Sequence, residues 1–323
     1  MKTGLTINIG KLKLKNPVMV ASGTFGYAEE FRDFMDLRKL GAVVTKTITL
    51  NPRKGNLPPR TCETPAGMLN SIGLENPGLE AFINEKLPIL RKIGIPIIVS
   101  IASEDTPEEF IELTRHLEKI KEVAAIELNI SCPNIKSPQS TVQSRQKSRG
   151  PWTVDRRQMI SQDPKATYEV VKSVRKVTNK TLITKLSPNV TDITEIALAA
   201  KAAGSDCIAL VNTITGMCVD IETRRPKIAA ATGGLSGPAI RPVAIRMIWE
   251  AYQKVKIPII GMGGIIDTLS ALEFFIAGAT AISIGTGNFI NPKVSVEIIE
   301  GIKKYLVKNK IKDIKELVGS LKE

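Results

Sequence analysis

Histidine is almost missing from this chain: His116 is the only one among 323 residues. That scarcity removes histidine general-base chemistry and the commonest metal ligand, so any proton abstraction needs another group. His116 itself sits among charges in Leu113-Thr114-Arg115-His116-Leu117-Glu118-Lys119 and reads as solvated helix surface. Four cysteines, Cys62, Cys132, Cys207 and Cys218, show no C-x-x-C spacing, so neither zinc nor a chain-borne iron–sulfur cluster is expected. Aromatic residues are only 4% of the chain and offer few faces for stacking on bases. The net charge of +13 therefore reads as a basic solvated surface and not as a nucleic-acid interface. Long hydrophobic runs are missing too, since stretches such as Ile95-Pro96-Ile97-Ile98-Val99 fall far short of the roughly 20 residues that span a bilayer. Met1-Lys2-Thr3 leads straight into Leu5, Ile7 and Ile9, which alternate with polar residues as in a hairpin strand, without an apolar signal core. A soluble, cytoplasmic protein with neither a membrane nor a nucleic-acid partner is the expectation.

With 43% hydrophobic residues and no break in composition, the chain is expected to form one large domain over residues 1–323. Short apolar runs recur at 18–21, 42–46, 95–101, 124–130, 182–186, 207–212, 258–262 and 281–284. Helical spacing of hydrophobic residues follows them at about 29–40, 78–92, 106–122, 164–178, 192–203, 240–254, 268–277 and 294–306. The runs are too continuously apolar for a one-sided sheet, and strict alternation with helices predicts a parallel sheet covered by helices. Eight units favour closure. The predicted fold class is therefore α/β, a (β/α)8 TIM barrel with an N-terminal β-hairpin and an inserted active-site loop at 135–162. The alternative is a doubly wound open sheet, but no G-x-G-x-x-G follows the first strand. Beyond the last unit, Leu306, Ile311, Ile314, Leu317 and Leu321 give residues 303–323 a helical apolar stripe.

In such a barrel the chemistry belongs at the C-terminal ends of the strands. The polar residues fall there: Ser22-Gly23, Lys46-Thr47, Ser100, Asn129 to Asn134, Lys185, Asn212-Thr213, Gly263-Gly264 and Gly285-Thr286. Cys132 follows the fourth strand, where Pro133 stops it. A lone cysteine in that place is by default a small buried hydrophobe. Asn129 and Asn134, on either side of it, shift the reading towards chemistry, because two planar amides can grip the carbonyl and N–H edges of a ring. Glycines at Gly261-Met262-Gly263-Gly264 and Gly285-Thr286-Gly287-Asn288 allow backbone N–H groups to approach a phosphate after strands seven and eight. Residues 66–74 form a glycine-containing loop suited to closing over a small ligand, with Asn70 on it, and residues 232–238 carry three glycines without charge. Lys46 and Lys185 are costly at strand ends unless they meet an anion or a polar ring. Thiol, amides, lysines and a phosphate cradle together point to redox chemistry on a small cyclic substrate with bound flavin mononucleotide, and leave the substrate open.

The motifs Ala21-Ser22-Gly23-Thr24-Phe25-Gly26, Lys46-Thr47-Ile48-Thr49, Asn70-Ser71-Ile72-Gly73-Leu74, Asn129-Ile130-Ser131-Cys132-Pro133-Asn134, Lys185-Leu186-Ser187-Pro188-Asn189 and Gly234-Leu235-Ser236-Gly237-Pro238-Ala239-Ile240 occur in this order. In that order they resemble class 1 dihydroorotate dehydrogenases, flavin enzymes of pyrimidine synthesis, from Asn16-Pro17 to about Pro292. The resemblance implies that Cys132 takes a proton from C5 of dihydroorotate while a hydride leaves C6 for the flavin. It implies a substrate site of Lys46, Asn70, Ser71, Ile72, Gly73, Leu74, Asn129, Asn134, Asn212 and Thr213. It also implies an FMN site of Ser22, Lys46, Thr47, Ser100, Asn129, Lys185, Val211, Gly237, Gly263, Gly264, Gly285 and Thr286. The 234–240 segment looks like subclass 1B, whose members pass electrons to NAD through a separate subunit carrying FAD and a 2Fe–2S cluster. Such a partner and a homo-oligomeric core are thus implied, with no resident metal.

Two positions depart from the family pattern. Ser100 stands where asparagine is usual, and residues 135–162 replace a shorter glycine-rich loop, with Trp152 and Met159 as candidate anchors and more basic residues than acidic ones. A lid or docking surface is the expectation for that insertion. Two other functions stand beside the main one: a dihydropyrimidine dehydrogenase-like reductase, sharing barrel, flavin and cysteine, and a catalytically silent flavin-binding docking protein.

Overall fold

The computed structural model describes residues 3–131 and 160–322. The expected insertion at 135–162 thus lies outside the described residues, apart from a 3-10 turn at Ile160–Gln162. Eight parallel strands close into a barrel: β1 Val18–Val20, β2 Ala42–Val44, β3 Ile97–Ile101, β4 Val123–Asn129, β5 Thr181–Lys185, β6 Cys207–Leu210, β7 Ile259–Gly261 and β8 Ala281–Ile284. Neighbours in the ring are neighbours in sequence, and β8 returns to β1 through the pairs Ile282 with Val18 and Ile284 with Val20. Nearly every strand residue is buried, because one face fills the barrel and the other meets the helices. Most predicted runs extend past the observed strands at their C-terminal ends. Ala21, Thr45-Lys46, Ile130, Leu186, Val211-Asn212 and Met262 leave the regular ladder and become the rim.

Helices Glu108–Glu118, Pro164–Arg175, Ile193–Ala202, Arg241–Val255, Thr268–Ala277 and Val294–Lys308 pack on the outside of the barrel. Residues 78–91 form one helical rod with a π turn at Phe82–Lys86. Glycine at Gly261 is a packing requirement: a Cβ there would stand 2.6 Å from Cδ1 of the fully buried Phe274, so β7 and its following helix approach closely only without one. Asp267 starts that helix by accepting the Ser270 N–H at 2.7 Å.

The helix expected over 29–40 is instead two 3-10 turns, Glu29–Phe31 and Leu37–Lys39. Asp36 adopts an extended conformation and caps the second turn through the Arg38 N–H, which stops a continuous helix, while Phe31 stacks on Phe25 with ring centroids 3.9 Å apart. The C-terminal stripe also splits. Val294–Lys308 ends before Ile311, and Ile314 and Leu317 are buried on a separate 3-10 turn, whereas Leu321 is exposed.

The N-terminal hairpin pairs Ile7–Ile9 with Leu12–Leu14 and sits at the strands' N-terminal end, where the Lys11 N–H donates to Thr181 Oγ1 at 3.1 Å. At the opposite end lies an antiparallel sheet in the order Ile214–Gly216, Gly233–Ser236, Gly67–Asn70, Thr61–Thr64. Its strands come from the segments after β2 and β6, so it stands over the barrel mouth. The sequence reading treated both segments as loops. Their strands are short and glycine-rich, and the glycines are what permit the pairing: a Cβ on Gly67 would come within 1.9 Å of the Ser236 carbonyl oxygen.

Candidate active site

Between the barrel mouth and this covering sheet lies a cavity of about 680 Å³. That is the size range of small-molecule and cofactor sites. Ser22, Lys46, Thr47, Asn129, Lys185, Val211, Asn212 and Thr213 reach it from the strand ends. Asn70, Ser71, Ile72, Gly73 and Leu74 reach it from the cover, and Gly237, Gly263, Gly264, Gly285 and Thr286 from the loops around strands seven and eight. Every expected site residue among the described ones therefore converges on this cavity, with one exception.

The exception is Ser100. It is fully buried on β3 and absent from the lining, and its Oγ lies 3.0 Å from Thr47 Oγ1. Serine is too short to reach the cavity from that strand, and Thr47 stands between its hydroxyl and the cavity. Cys132 and Asn134 lie outside the described residues. Ser131, the neighbour of Cys132, lines the cavity.

Thr47 is the hub of the floor. Ser22 Oγ stands 2.9 Å from its Oγ1, and Asn129 Nδ2 donates to the same oxygen at 3.2 Å. Asn212 Nδ2 in turn donates to Asn129 Oδ1 at 3.3 Å, and the Thr213 N–H donates to Asn212 Oδ1 at 2.9 Å. These bonds hold four strand ends in one polar chain, so the amides meet a ligand already oriented. On the cover, Asn70 Nδ2 donates to the Gly234 carbonyl at 3.1 Å and ties the two central strands of the sheet together.

Lys46 is half-buried and Lys185 only 5% exposed. Among the described residues no carboxylate stands within ion-pair distance of either. Two unneutralised ammonium groups at a largely enclosed wall fit an anionic ligand or a ring that gains negative charge. The wall residues after β7 and β8 divide by role. Gly263 and Gly264 have φ of +121° and +84°, and a Cβ on Gly264 would stand 2.9 Å from the Gly237 carbonyl oxygen, so the fold itself requires glycine there. Gly285 is different, because a Cβ on it meets nothing nearer than Ala21 Cβ at 3.7 Å. Packing leaves room at Gly285 for a side chain, and that room belongs to the cavity.

Several lining residues were not singled out from sequence: Asn56, Thr61, Met68, Ser187, Asn189, Thr215 and Phe289. Asn189 organises a loop, donating from Nδ2 to the Thr213 carbonyl at 3.1 Å and accepting the Thr215 N–H at 2.9 Å. It stands inside the Lys185-to-Asn189 motif, which was the signal available for it.

His116 is exposed on Glu108–Glu118, away from the cavity lining. Cys207 faces the barrel core, where burial drives its thiol pKa far above the usual range and makes it inert. Among the described residues no group of three or more histidine, cysteine, aspartate or glutamate side chains is arranged for a metal ion, and no helix is long and apolar enough to cross a membrane.

Residues 4–306 match the family model described as dihydroorotate dehydrogenase. The chain belongs to the dihydroorotate dehydrogenase family. Relatives agree over almost its full length. The chain is 50% identical over 320 residues to the "Dihydroorotate dehydrogenase B (NAD(+)), catalytic subunit" of Geotalea uraniireducens, covering 99% of each. It is 52% identical over 317 residues to the protein of the same name from Caldicellulosiruptor bescii, covering 98% of this chain and 99% of that one. Thermoanaerobacter pseudethanolicus has another of that name, 50% identical over 318 residues. Dihydroorotate dehydrogenases are flavin-dependent oxidoreductases, and a closed (β/α)8 barrel with a polar C-terminal mouth is the fold found here.

Proposed function

We propose that this chain oxidises dihydroorotate to orotate in pyrimidine biosynthesis, holding flavin mononucleotide and passing the electrons to NAD through a separate subunit with FAD and a 2Fe–2S cluster. The observation that carries the reading is the single cavity lined by Lys46, Asn70 to Leu74, Asn129, Asn212 and Thr213 together with the glycine loops at Gly237, Gly263 and Gly285. The residues fit a flavin: the nearly buried Lys185 faces the cavity with no carboxylate partner among the described residues, and Gly285 leaves room that a ligand can fill. Ser22, Thr47, Lys185, Val211, Gly237, Gly263, Gly264, Gly285 and Thr286 would hold it, and when bound it supplies the acceptor for the hydride from C6.

The chain's own residues do the rest. Asn129 and Asn212, fixed by their mutual hydrogen bond, present amide edges to the ring of the substrate. Lys46 balances negative charge beside them, and the Asn70-to-Leu74 segment closes from above. Cys132, next to Ser131 at the cavity wall, takes the proton from C5. With the single histidine remote on an outer helix, no imidazole competes for that task. Anaerobic addition of dihydroorotate to the purified yellow protein tests the whole reading: the flavin absorbance is expected to bleach. A bound flavin that stays oxidised would exclude it, and faster turnover with uracil than with dihydroorotate would reassign the substrate.

A further inference from the structure

The sheet over the cavity carries two cysteines for which the proposed reaction has no use. Cys62 lies on the edge strand Thr61–Thr64 and is paired with Leu69. Cys218 follows Ile214–Gly216 on the opposite edge. They meet because the chain crosses back over the sheet after Gly216. Gly216 packs against Leu69, whose Cδ1 would be 3.4 Å from a Cβ built on it, and the Ala229 N–H donates to the Pro59 carbonyl at 2.7 Å, just before the edge strand. Between these ties, Val219–Asp220 pairs with Arg225–Pro226, and the Lys227 N–H closes the hairpin on the Cys218 carbonyl at 3.0 Å.

These ties bring Cys218 and Lys227 over Leu69 to the neighbourhood of Cys62, and the Cys62 thiol feels both. Burial, then the neighbouring thiol, raises the Cys62 pKa, and Lys227 opposes that rise. Both thiols are half-buried, within reach of small solutes, unlike the enclosed Cys207. One immediate neighbour of Cys62 lines the cavity: Thr61 precedes it and pairs with Asn70. A covalent link here fixes the cover of the cavity to the segment that runs on from Asn212 and Thr213.

We propose that Cys62 and Cys218 form a reversible dithiol–disulfide site that clamps the cover of the cavity. The oxidant is a low-molecular-weight disulfide. One cysteine thiolate attacks it, breaking its S–S bond and releasing one small thiol as a mixed disulfide forms. The second cysteine then attacks the protein sulfur of that mixed disulfide and releases the other small thiol. Two protein thiols are oxidised, one small disulfide is reduced to two thiols, and the two cysteine protons end on those thiols. Clamping slows the entry and exit of ligands, a step that commonly limits turnover.

The test treats the flavin-loaded full chain with oxidised glutathione, alkylates the remaining thiols after denaturation and maps the peptides by mass spectrometry. Expected are the loss of two alkylatable thiols and one cross-linked peptide pair carrying Cys62 and Cys218. The link should be reversed by dithiothreitol and be absent from Cys62→Ser and Cys218→Ser. Oxidised wild type should also lose at least about threefold more turnover than identically treated Cys62→Ser, which corrects for oxidation elsewhere. Separate glutathione adducts on the two cysteines, a cross-link from either to Cys132, or a Cys62–Cys218 disulfide without the extra loss of turnover each overturns the proposal. The peptide map is independent of the reaction assigned above, so failure of one is distinguishable from failure of the other.

Discussion

Asn212 donates from Nδ2 to Asn129 Oδ1 at 3.3 Å, joining the ends of β4 and β6 across the intervening β5 that carries Lys185. Each amide has its other end committed, Asn129 to Thr47 and Asn212 to the Thr213 N–H, so neither turns without breaking a bond. The floor of the cavity is preorganised by four strands at once, and Thr47 is where the bonds meet.

Ser100 is expected to act only through that hub. Ser100→Ala should keep stoichiometric flavin, because its hydroxyl lines no part of the cavity. Thr47→Val should cost more, since it leaves the fully buried Ser100 hydroxyl and the Asn129 amide without their shared partner. A loss of about 1–3 kcal/mol in denaturant unfolding is expected for Thr47→Val, with weaker flavin retention on gel filtration. Loss of flavin from Ser100→Ala would give Ser100 a direct contact after all.

Gly285 offers the cleanest test of where the cofactor lies. A Cβ on Gly264 meets Arg241 Cβ at 2.7 Å in a left-handed backbone conformation, so Gly264→Val strains the fold with or without a ligand. Gly285 has no such conflict, because its nearest neighbours are Ala21 and Thr24 at ordinary contact distance. Gly285→Val should therefore purify folded, with a circular dichroism spectrum and melting temperature near those of the wild-type apoprotein, yet colourless. Full FMN content in this variant would move the phosphate site away from strand eight.

The barrel was legible because its signal is redundant: eight apolar runs, each too buried to alternate, separated by amphipathic helices. The covering sheet was not. Gly67–Asn70 and Gly233–Ser236 carry three glycines between them, and glycine weighs against strand in any local reading, although here it is what lets Gly67 approach the Ser236 carbonyl. The same limit hid the approach of Cys218 to Cys62, far apart in sequence and brought together by that sheet and the hairpin that crosses it. Site residues at strand ends were legible, since topology alone sends Lys46, Asn129, Lys185 and Asn212 to one mouth. Ser100 stands apart from the lining for a plainer reason. Position on a strand gives direction but not reach, and a serine hydroxyl stops one side chain short of the cavity.

Cys132 is expected to be the proton-abstracting base. Cys132→Ala should bind flavin and orotate as the wild type does, because the hydrogen bonds that hold Asn129, Thr47 and Asn212 involve no thiol. Flavin reduction by dihydroorotate in anaerobic stopped flow should slow by at least about 100-fold, the lower end for losing a general base. Near-normal reduction would remove Cys132 from the mechanism and turn attention to Ser131, which lines the cavity.

The last expectation concerns the route of the electrons. Among the described residues no set of cysteines is arranged to hold a cluster, and the relatives at about 50% identity are named as catalytic subunits of an NAD-linked enzyme. A hydride acceptor such as NAD needs its nicotinamide against the reduced flavin, and the cavity is already lined for a small ring by Asn129, Asn212 and the Asn70-to-Leu74 cover. The isolated chain should therefore reduce an artificial one-electron or quinone acceptor with dihydroorotate but reduce NAD only slowly. Adding the partner that the proposed function calls for, an iron–sulfur flavoprotein, should restore NADH formation, followed by absorbance, without changing the rate at which dihydroorotate bleaches the flavin in stopped flow. Rapid NAD-dependent turnover by the homogeneous chain alone would contradict the need for a partner and place both half-reactions in this one barrel.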